Sequence, residues 1–332
     1  RPPRSTRKES SAASDVYKRQ LEGLEEDVEE ETGVEVKFPL DVKGADVLLI
    51  TPSADFFAEP HVDGLIGYAK VFHEAGISWT VSSHASEAAN FGMFIGSYEN
   101  MRKLAMRIRE AALELGVKRI VFGECGHAWR VAYSFLNTLA GPWDFLDQNY
   151  PIPQHICEVT YGLIQDNKLK FDKSLNDDMV LTYHDSCNVS RASRMGDKAG
   201  GQFEIPRNII KSVCNNFYDM PKDTIKEGTY CCGGGGGLLT DDLMELRVKG
   251  ALPRMEALRQ VVEDNGVTHM AAICAICKSQ FAKVFPYYDF TMDQIVSVHQ
   301  LVSNAIILTG QHDENDENDG ENHPQQDIDE AA

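Results

Sequence analysis

No window of this sequence approaches eighteen uninterrupted apolar residues, and its N-terminal stretch has no apolar core of the kind a secretion signal carries. These absences give no support to a membrane span or to export, so a cytoplasmic location is the default expectation. No glycine-rich loop is followed by Lys-Ser/Thr, no G-x-G-x-x-G follows a strand-like run, and no Ser/His/Asp grouping stands out. Bases are scarce too: 32 Lys and Arg face 51 Asp and Glu, a formal net charge of −19. The deficit sits at the ends. Residues 21–31 hold seven acids and 311–332 hold nine, with no Lys or Arg in either, while residues 1–20 carry a net of +4, which leaves only −7 for 32–310. Nothing suggests a phosphate-binding face, and nucleic acid is not expected as a partner.

The segments that remain alternate in period. ADVLLITP (45–52), SWTVSS (78–83) and KRIVFGEC (118–125) read as buried strands, separated by helix-like segments at 63–75 and 100–115 that stop at Gly76 and Gly116. The scheme then replays: strands at 179–187 and 268–274, a short strand end at TYCC (229–232), and helices at 205–214, 238–264 (with a kink at Pro253), 278–285 and 292–308. Gly116-Val117 and Gly266-Val267 each close a helix before a strand that ends in cysteine. The expectation is an α/β protein of two tandem, pseudo-twofold-related halves built from βαβ units. The divisions are 41–167 and 178–308, after an acidic linker at 21–40 and before a disordered acidic tail at 309–332. Residues 1–20, with SAASDVYKRQ resembling adapter read-through, are expected to be disordered or artefactual, the true N-terminus missing.

Eight cysteines fall at 125, 157, 187, 214, 231, 232, 274 and 277. Without export, a reducing compartment argues for metal or redox chemistry rather than a disulfide framework. Cys187, Cys231, Cys232, Cys274 and Cys277 all sit where a strand is expected to give way to a loop, the carboxyl edge at which α/β sheets bind ligands. Vicinal cysteines make strained disulfides, but adjacent thiolates suit two metals of one cluster. Zinc takes four ligands, so five favour a polynuclear iron–sulfur centre, with a four-ligand zinc site plus a bystander as the alternative. The run CCGGGGG then has a reason: backbone without Cβ atoms lies close to a cluster, leaving the N–H groups of Gly233, Gly234 and Gly235 to bond its sulfides.

HDSCNVSRASRMGDKAGGQFEIPRNII (184–210), CCGGGGGLLTDDLMELRVKGALPRMEAL (231–258) and HMAAICAICKSQF (269–281) resemble the cysteine-rich CCG domains of heterodisulfide reductase catalytic subunits and their relatives. Within that family the wording is most similar to the branch serving the membrane-bound DsrMKJOP complex of sulfur metabolism. The resemblance implies a noncubane 4Fe–4S cluster on Cys187, Cys231, Cys232, Cys274 and Cys277. It also implies reduction of a disulfide or trisulfide on a DsrC-like small carrier protein, with electrons from membrane quinol passing through membrane and iron–sulfur partner subunits. The chain would then be cytoplasmic and attached peripherally to the inner membrane. A methanogen-type heterodisulfide reductase, a hydroxyacid-oxidase iron–sulfur subunit and a zinc-stabilised assembly module are the rivals. Two departures matter. The family's ferredoxin-like module, expected to carry further 4Fe–4S clusters, is absent, and the first copy is degenerate, with SEAANFG (86–92) in place of vicinal cysteines and Cys125 alone in GECGHAW. Cys125 reads either as a relic of the lost cluster or as a thiol facing the substrate arm, His127 and His184 either as proton donors to a leaving thiolate or as satisfied neighbours of the cysteines, and Arg191 and Arg194 as steering an acidic arm, lowering a thiolate pKa, or simply solvated. Cys157 and Cys214 read as buried, incidental thiols.

Overall fold

The computed structural model describes residues 5–51, 61–237 and 240–310. A long helix, α1 (Ser5–Thr32), precedes a parallel sheet of order β2-β1-β3-β4, formed by β1 (Val47–Ile50), β2 (Trp79–Thr80), β3 (Arg119–Phe122) and β4 (Gln154–His155). Between and after these strands come α2 (His61–Glu74), α3 (Asn90–Phe94), α4 (Tyr98–Leu115), α5 (Gly126–Ser134), α6 (Leu136–Ala140) and α7 (Ile156–Gln165). A second parallel sheet has the order β5-β6-β7, from β5 (Leu181–His184), β6 (His269–Ala272) and β7 (Ile295–Ser297). Its helices are α8 (Cys187–Ser190), α9 (Gly201–Val213), α10 (Met244–Asn265), α11 (Ala275–Val284) and α12 (Val298–Ala305). The chain is thus α/β, built from parallel strands and crossover helices as the apolar runs imply. Every residue of β1 and β5 is buried, which is why their sequences read as continuous rather than alternating. Gly116 and Gly266, at φ +65° and +70°, close α4 and α10 in the left-handed conformation that disfavours a side chain.

The halves do not fold side by side as separate beads. α12, from the end of the second half, lies on α2 of the first, and α7 of the first lies on α9 of the second. One apolar core consequently runs from Val47, Leu48 and Phe72 through Ile209, Val296, Leu301 and Val302, and a smaller one fills the far side of the second sheet around Met255, Leu258 and Phe281. The α2–α12 contact is close: a Cβ on Gly67 would stand 2.0 Å from the His299 carbonyl oxygen.

Charge is also buried at this junction. Glu124, following β3, is fully buried and accepts from Lys278 Nζ of α11 at 3.2 Å, from His299 Nδ1 at 2.7 Å and from the His299 backbone N–H at 2.8 Å. His299 Nε2 pairs with Thr160 Oγ1 of α7 at 2.7 Å. Burial would raise the Glu124 pKa, but the Lys278 ammonium and the His299 bonds overcome it and hold it at about 2. Four elements from both halves are joined through one carboxylate.

Four sequence expectations differ from the structure. Residues 5–20 are not disordered and 21–40 are not a loose linker: α1 runs from Ser5 through Thr32, and Leu21, Val28, Val34, Val36 and Phe38 are buried in the first core. TYCC (229–232) is loop, not strand: the Thr229 hydroxyl donates to the Asp185 backbone carbonyl at 2.8 Å and accepts from Arg254 at 2.9 Å, so the segment is held by a side chain rather than by a strand ladder. The segment 292–308 is not one helix but a 3-10 turn, then β7, then α12. Pro253 lies inside α10 without ending it. The acidic tail from 311 onward lies outside the described residues.

Candidate metal centre

The site forms at the carboxyl edge of the second sheet from three loops. Cys187 opens α8 directly after β5, and Cys274 is the N-cap of α11 directly after β6, with Cys277 in the first turn of that helix. Cys231 and Cys232 arrive on the loop between α9 and α10. That loop is anchored by Thr229, and by the buried Arg207–Asp185 pair, whose NH1 and NH2 bonds to the carboxylate are 2.8 and 2.7 Å and whose Asp185 also accepts from the Lys226 N–H at 2.8 Å. The thiols meet in sequence: Cys231 neighbours Cys232, Cys232 neighbours Cys277, and Cys277 neighbours Cys274, each close enough to shift the other's ionisation, while Cys187 lies near enough to Cys231 and Cys274 for their charges to act on it. All five predicted ligands are therefore neighbours.

Their electrostatics are polarised. The Cys232 thiol, then the N–H groups of Gly235 and Gly233, pull Cys231 down to about 5, and the same bond to Cys231 pushes Cys232 well up. Cys277 is raised chiefly by its bonds to Cys232 and Cys274. Burial opposes ionisation of Cys274, yet hydrogen bonds from Cys125, Cys277 and His127 hold it well below the ordinary thiol range. Burial raises Cys187 to about 11.

The glycine N–H groups, expected to face cluster sulfides, point at cysteine sulfur. Gly233 and Gly234 direct N–H groups at Cys231 Sγ (3.3 Å) and Cys232 Sγ (3.4 Å). Gly233 adopts φ +89° with no room for a side chain, since a Cβ would stand 2.3 Å from the Arg247 carbonyl oxygen and 2.9 Å from Gln280 Nε2.

The first half reaches into the same place. Cys125, N-cap of α5, is buried against Cys274, and the ligand atoms of Cys125, His127 and Cys274 lie within 4.8 Å of one another. His127 Nδ1 is 3.7 Å from Cys274 Sγ, and its Nε2 is 2.9 Å from Asn188 Nδ2. Arg130 donates to Asn188 Oδ1 at 3.0 Å, so the Asn188 amide nitrogen points at the ring. His127 Nε2 is then the acceptor, and the ring proton sits on Nδ1, toward Cys274. Sequence reasoning missed Asn188 and Arg130 in this arrangement; the only signal was their polarity one residue after Cys187 and three after His127. The approach of α5 is tight, as a Cβ on Gly126 would stand 2.5 Å from Ser186 Oγ and 3.3 Å from Cys274 Sγ. His184, by contrast, closes β5 against Phe281, with ring centroids 4.8 Å apart, and is 1% exposed. Burial holds its pKa well below the ordinary value, so it is a neutral ring shut off from solvent rather than a ready proton donor. Arg194 is exposed, Cys157 and Cys214 are buried in the core, and Arg191 borders a cavity beside Cys187.

Two observations bear on whether an iron–sulfur cluster suits these residues. Both ring nitrogens of His184 and the Gln280 amide nitrogen are buried without a hydrogen-bond partner. A neutral imidazole carries one N–H, so the unmet donors are one on His184 and the Gln280 amide, which lies beside Gly233 of the cysteine loop; each costs about 1–3 kcal/mol. Second, tetrahedral zinc needs thiolates about 3.8 Å apart, from a Zn–S length of about 2.3 Å. Among the described residues, no three of the five cysteines come within 4.8 Å of one another; the close sets are Cys125–His127–Cys274 and Glu124–Cys157–His299, the latter already claimed by Lys278. The five thiols form a run of neighbours rather than one compact three- or four-ligand set. Five converging thiols, two of them met by glycine N–H groups, fit a sulfur-ligated metal centre.

Comparison with known proteins agrees with this chemistry. Residues 181–282 match the family model described as the cysteine-rich CCG domain. The chain is 39% identical over 318 residues to the Hdr-like menaquinol oxidoreductase iron-sulfur subunit 2 of Archaeoglobus fulgidus, covering 87% of this chain and 56% of that subunit. It is 40% identical to the corresponding subunit of Archaeoglobus profundus, covering 87% of this chain and 55% of that one. A shorter match is to a dihydromethanophenazine:CoB–CoM heterodisulfide reductase subunit of Methanosarcina acetivorans, 34% identical over 131 residues and covering 37% of this chain and 27% of that one. The chain thus spans about half the length of the two Archaeoglobus subunits. Residues 181–282, which contain all five converging cysteines, are thus similar to the CCG cysteine-rich domain, and the chain as a whole is similar to Hdr-like iron–sulfur subunits over about half their length.

Proposed function

We propose that this chain is the cluster-bearing core of a heterodisulfide-reductase-like oxidoreductase subunit. In this reading Cys187, Cys231, Cys232, Cys274 and Cys277 hold a noncubane 4Fe–4S cluster, which supplies one-electron steps and iron sites with affinity for sulfur. The substrate is a disulfide or trisulfide on a small DsrC-like carrier protein. A disulfide takes two electrons and two protons and leaves as two thiols. The electrons derive from membrane quinol, passed on by membrane and iron–sulfur partners of a DsrMKJOP-like complex, to which the chain attaches peripherally. The names of the Archaeoglobus relatives support the quinol, and no helix among the described residues is long and apolar enough to cross a membrane.

What carries the reading is the meeting of five thiols from three separate loops, edged by glycine N–H groups. The protein's own residues have defined tasks. Gly233 and Gly234 cradle the vicinal sulfurs, Asn188 and Arg130 fix the His127 tautomer, and His127 Nδ1–H is the proton aimed at the sulfur group. Cys125 adds a thiol from the opposite half. The test is a single turnover without oxygen. Chain loaded with cluster and chemically reduced is mixed with carrier disulfide, and freed thiols are counted. Two thiols per two electrons consumed are expected; unchanged disulfide beside a reoxidised cluster would exclude it as substrate. The Cys125–His127–Cys274 set favours a second reading, a zinc-stabilised module, which metal content separates.

A further inference from the structure

Beside Cys187 lies a cavity of about 530 Å³, the size of a small organic ligand. It is lined by Cys187 and His127, by the apolar Met93 and Phe94, the latter edge-on to the His127 ring at 4.8 Å, and by two charged residues, both arginines, Arg130 and Arg191. No carboxylate lines it among the described residues. Arg191 NH1 donates to the Thr229 and Glu227 carbonyls at 2.8 and 3.2 Å, and Arg130 NH1 to Asn188 Oδ1 at 3.0 Å. These acceptors are neutral, so they orient the two guanidinium groups without cancelling either charge; Arg191 also acts on the Cys187 and Cys231 sulfurs. Each group keeps further N–H donors for a planar anion.

We propose that this cavity is the substrate pocket and that Arg130 and Arg191 make it specific for a disulfide flanked by a carboxylate. The carboxylate pairs with the guanidinium groups, the aliphatic spacer lies on Met93 and Phe94, and the sulfur end reaches Cys187. The assignment rests on the function proposed above but concerns binding alone, so it can fail independently. Arg130 has two tasks in it: it orients Asn188 and it recognises the ligand.

The experiment is equilibrium binding, by calorimetry, to the full chain purified without oxygen. Dithiodipropionate is compared with its diamide, and a peptide ending in a disulfide-linked cysteine with a free carboxylate is compared with the same peptide amidated. The tighter-binding pair tells whether the anion belongs to a free thiol acid or to a carrier arm. In that pair the carboxylate should bind about tenfold better than the amide, the scale of a charge-assisted hydrogen bond. Arg130→Gln and Arg191→Gln should each remove most of that preference, while Arg130→Lys retains part of it. Because the readout is a ratio between two ligands, a variant that weakens binding generally does not imitate the result. Equal binding of carboxylate and amide, or a preference unchanged in both Gln variants, would overturn the assignment. Iron and sulfide assays on the same samples keep the outcomes apart: a bound cluster with no anion preference sinks the pocket alone, and an anion preference without iron sinks the cluster alone.

Discussion

Single residues in this protein divide sharply between sulfur that converges and sulfur that does not. Cys231→Ser or Cys232→Ser should remove most of the cluster's visible absorption and its iron, whereas Cys214→Ser, at the buried end of α9, should leave both unchanged. An unaltered spectrum in the vicinal variants would refute the ligand assignment. His155 makes a separate prediction about acid. Burial lowers its pKa to about 3, and its Nδ1 caps α7 by accepting from the Cys157 N–H at 3.1 Å. The folded state therefore prefers neutral imidazole, while the unfolded chain protonates near pH 6.5. Stability should be full above that pH and fall by up to about 1.4 kcal/mol per pH unit as pH drops toward 3. His155→Asn keeps a side-chain cap, so it should flatten the fall in melting temperature between pH 6.5 and 4.5; an unflattened curve would show that His155 is not responsible. At this scale the convergence of the five cysteines was legible, because each follows a strand end or sits in the glycine run. Asn188 and Arg130 were not, since an isolated Asn or Arg acquires its role only from what the other half brings against it.

Elements were legible where burial alone dictated them. β1, β3, β5 and β6 read as apolar runs because both faces of a parallel strand are covered. β7 was hidden, since three buried strand residues lead straight into the apolar face of α12 and the composition does not change between them. The α1 region misled in the other direction: seven acids dominate residues 21–31, while Leu21, Leu24 and Val28 recur at helical spacing and face the core. Packing between elements yields a direct test. Gly67→Ala would push a methyl group into the His299 carbonyl of α12, and the expected cost is about 1–3 kcal/mol. The corresponding loss of several degrees in melting temperature should be absent in Gly162→Ala, where nothing lies within 4 Å. Equal effects at the two positions would contradict the α2–α12 contact.

Across the whole molecule the two halves are one folding unit, because α12 and α7 each complete the other half's core and Glu124, Lys278 and His299 join both in a buried ionic group. Calorimetry should give one cooperative transition rather than two. Lys278→Met, which strands a buried carboxylate, should cost about 3–5 kcal/mol, and two resolved transitions would show the halves to be independent. βαβ units were readable from the alternating apolar runs, but the packing of helices from one half on the other was not, because no local pattern records a long-range partner. The same packing brings Cys125 and His127 against Cys274 and thereby makes one site from two halves. The most direct test of that site is the iron, zinc and acid-labile sulfide content of the chain purified without oxygen. About four irons with matching sulfide per chain is the predicted result; one zinc with no sulfide would contradict it.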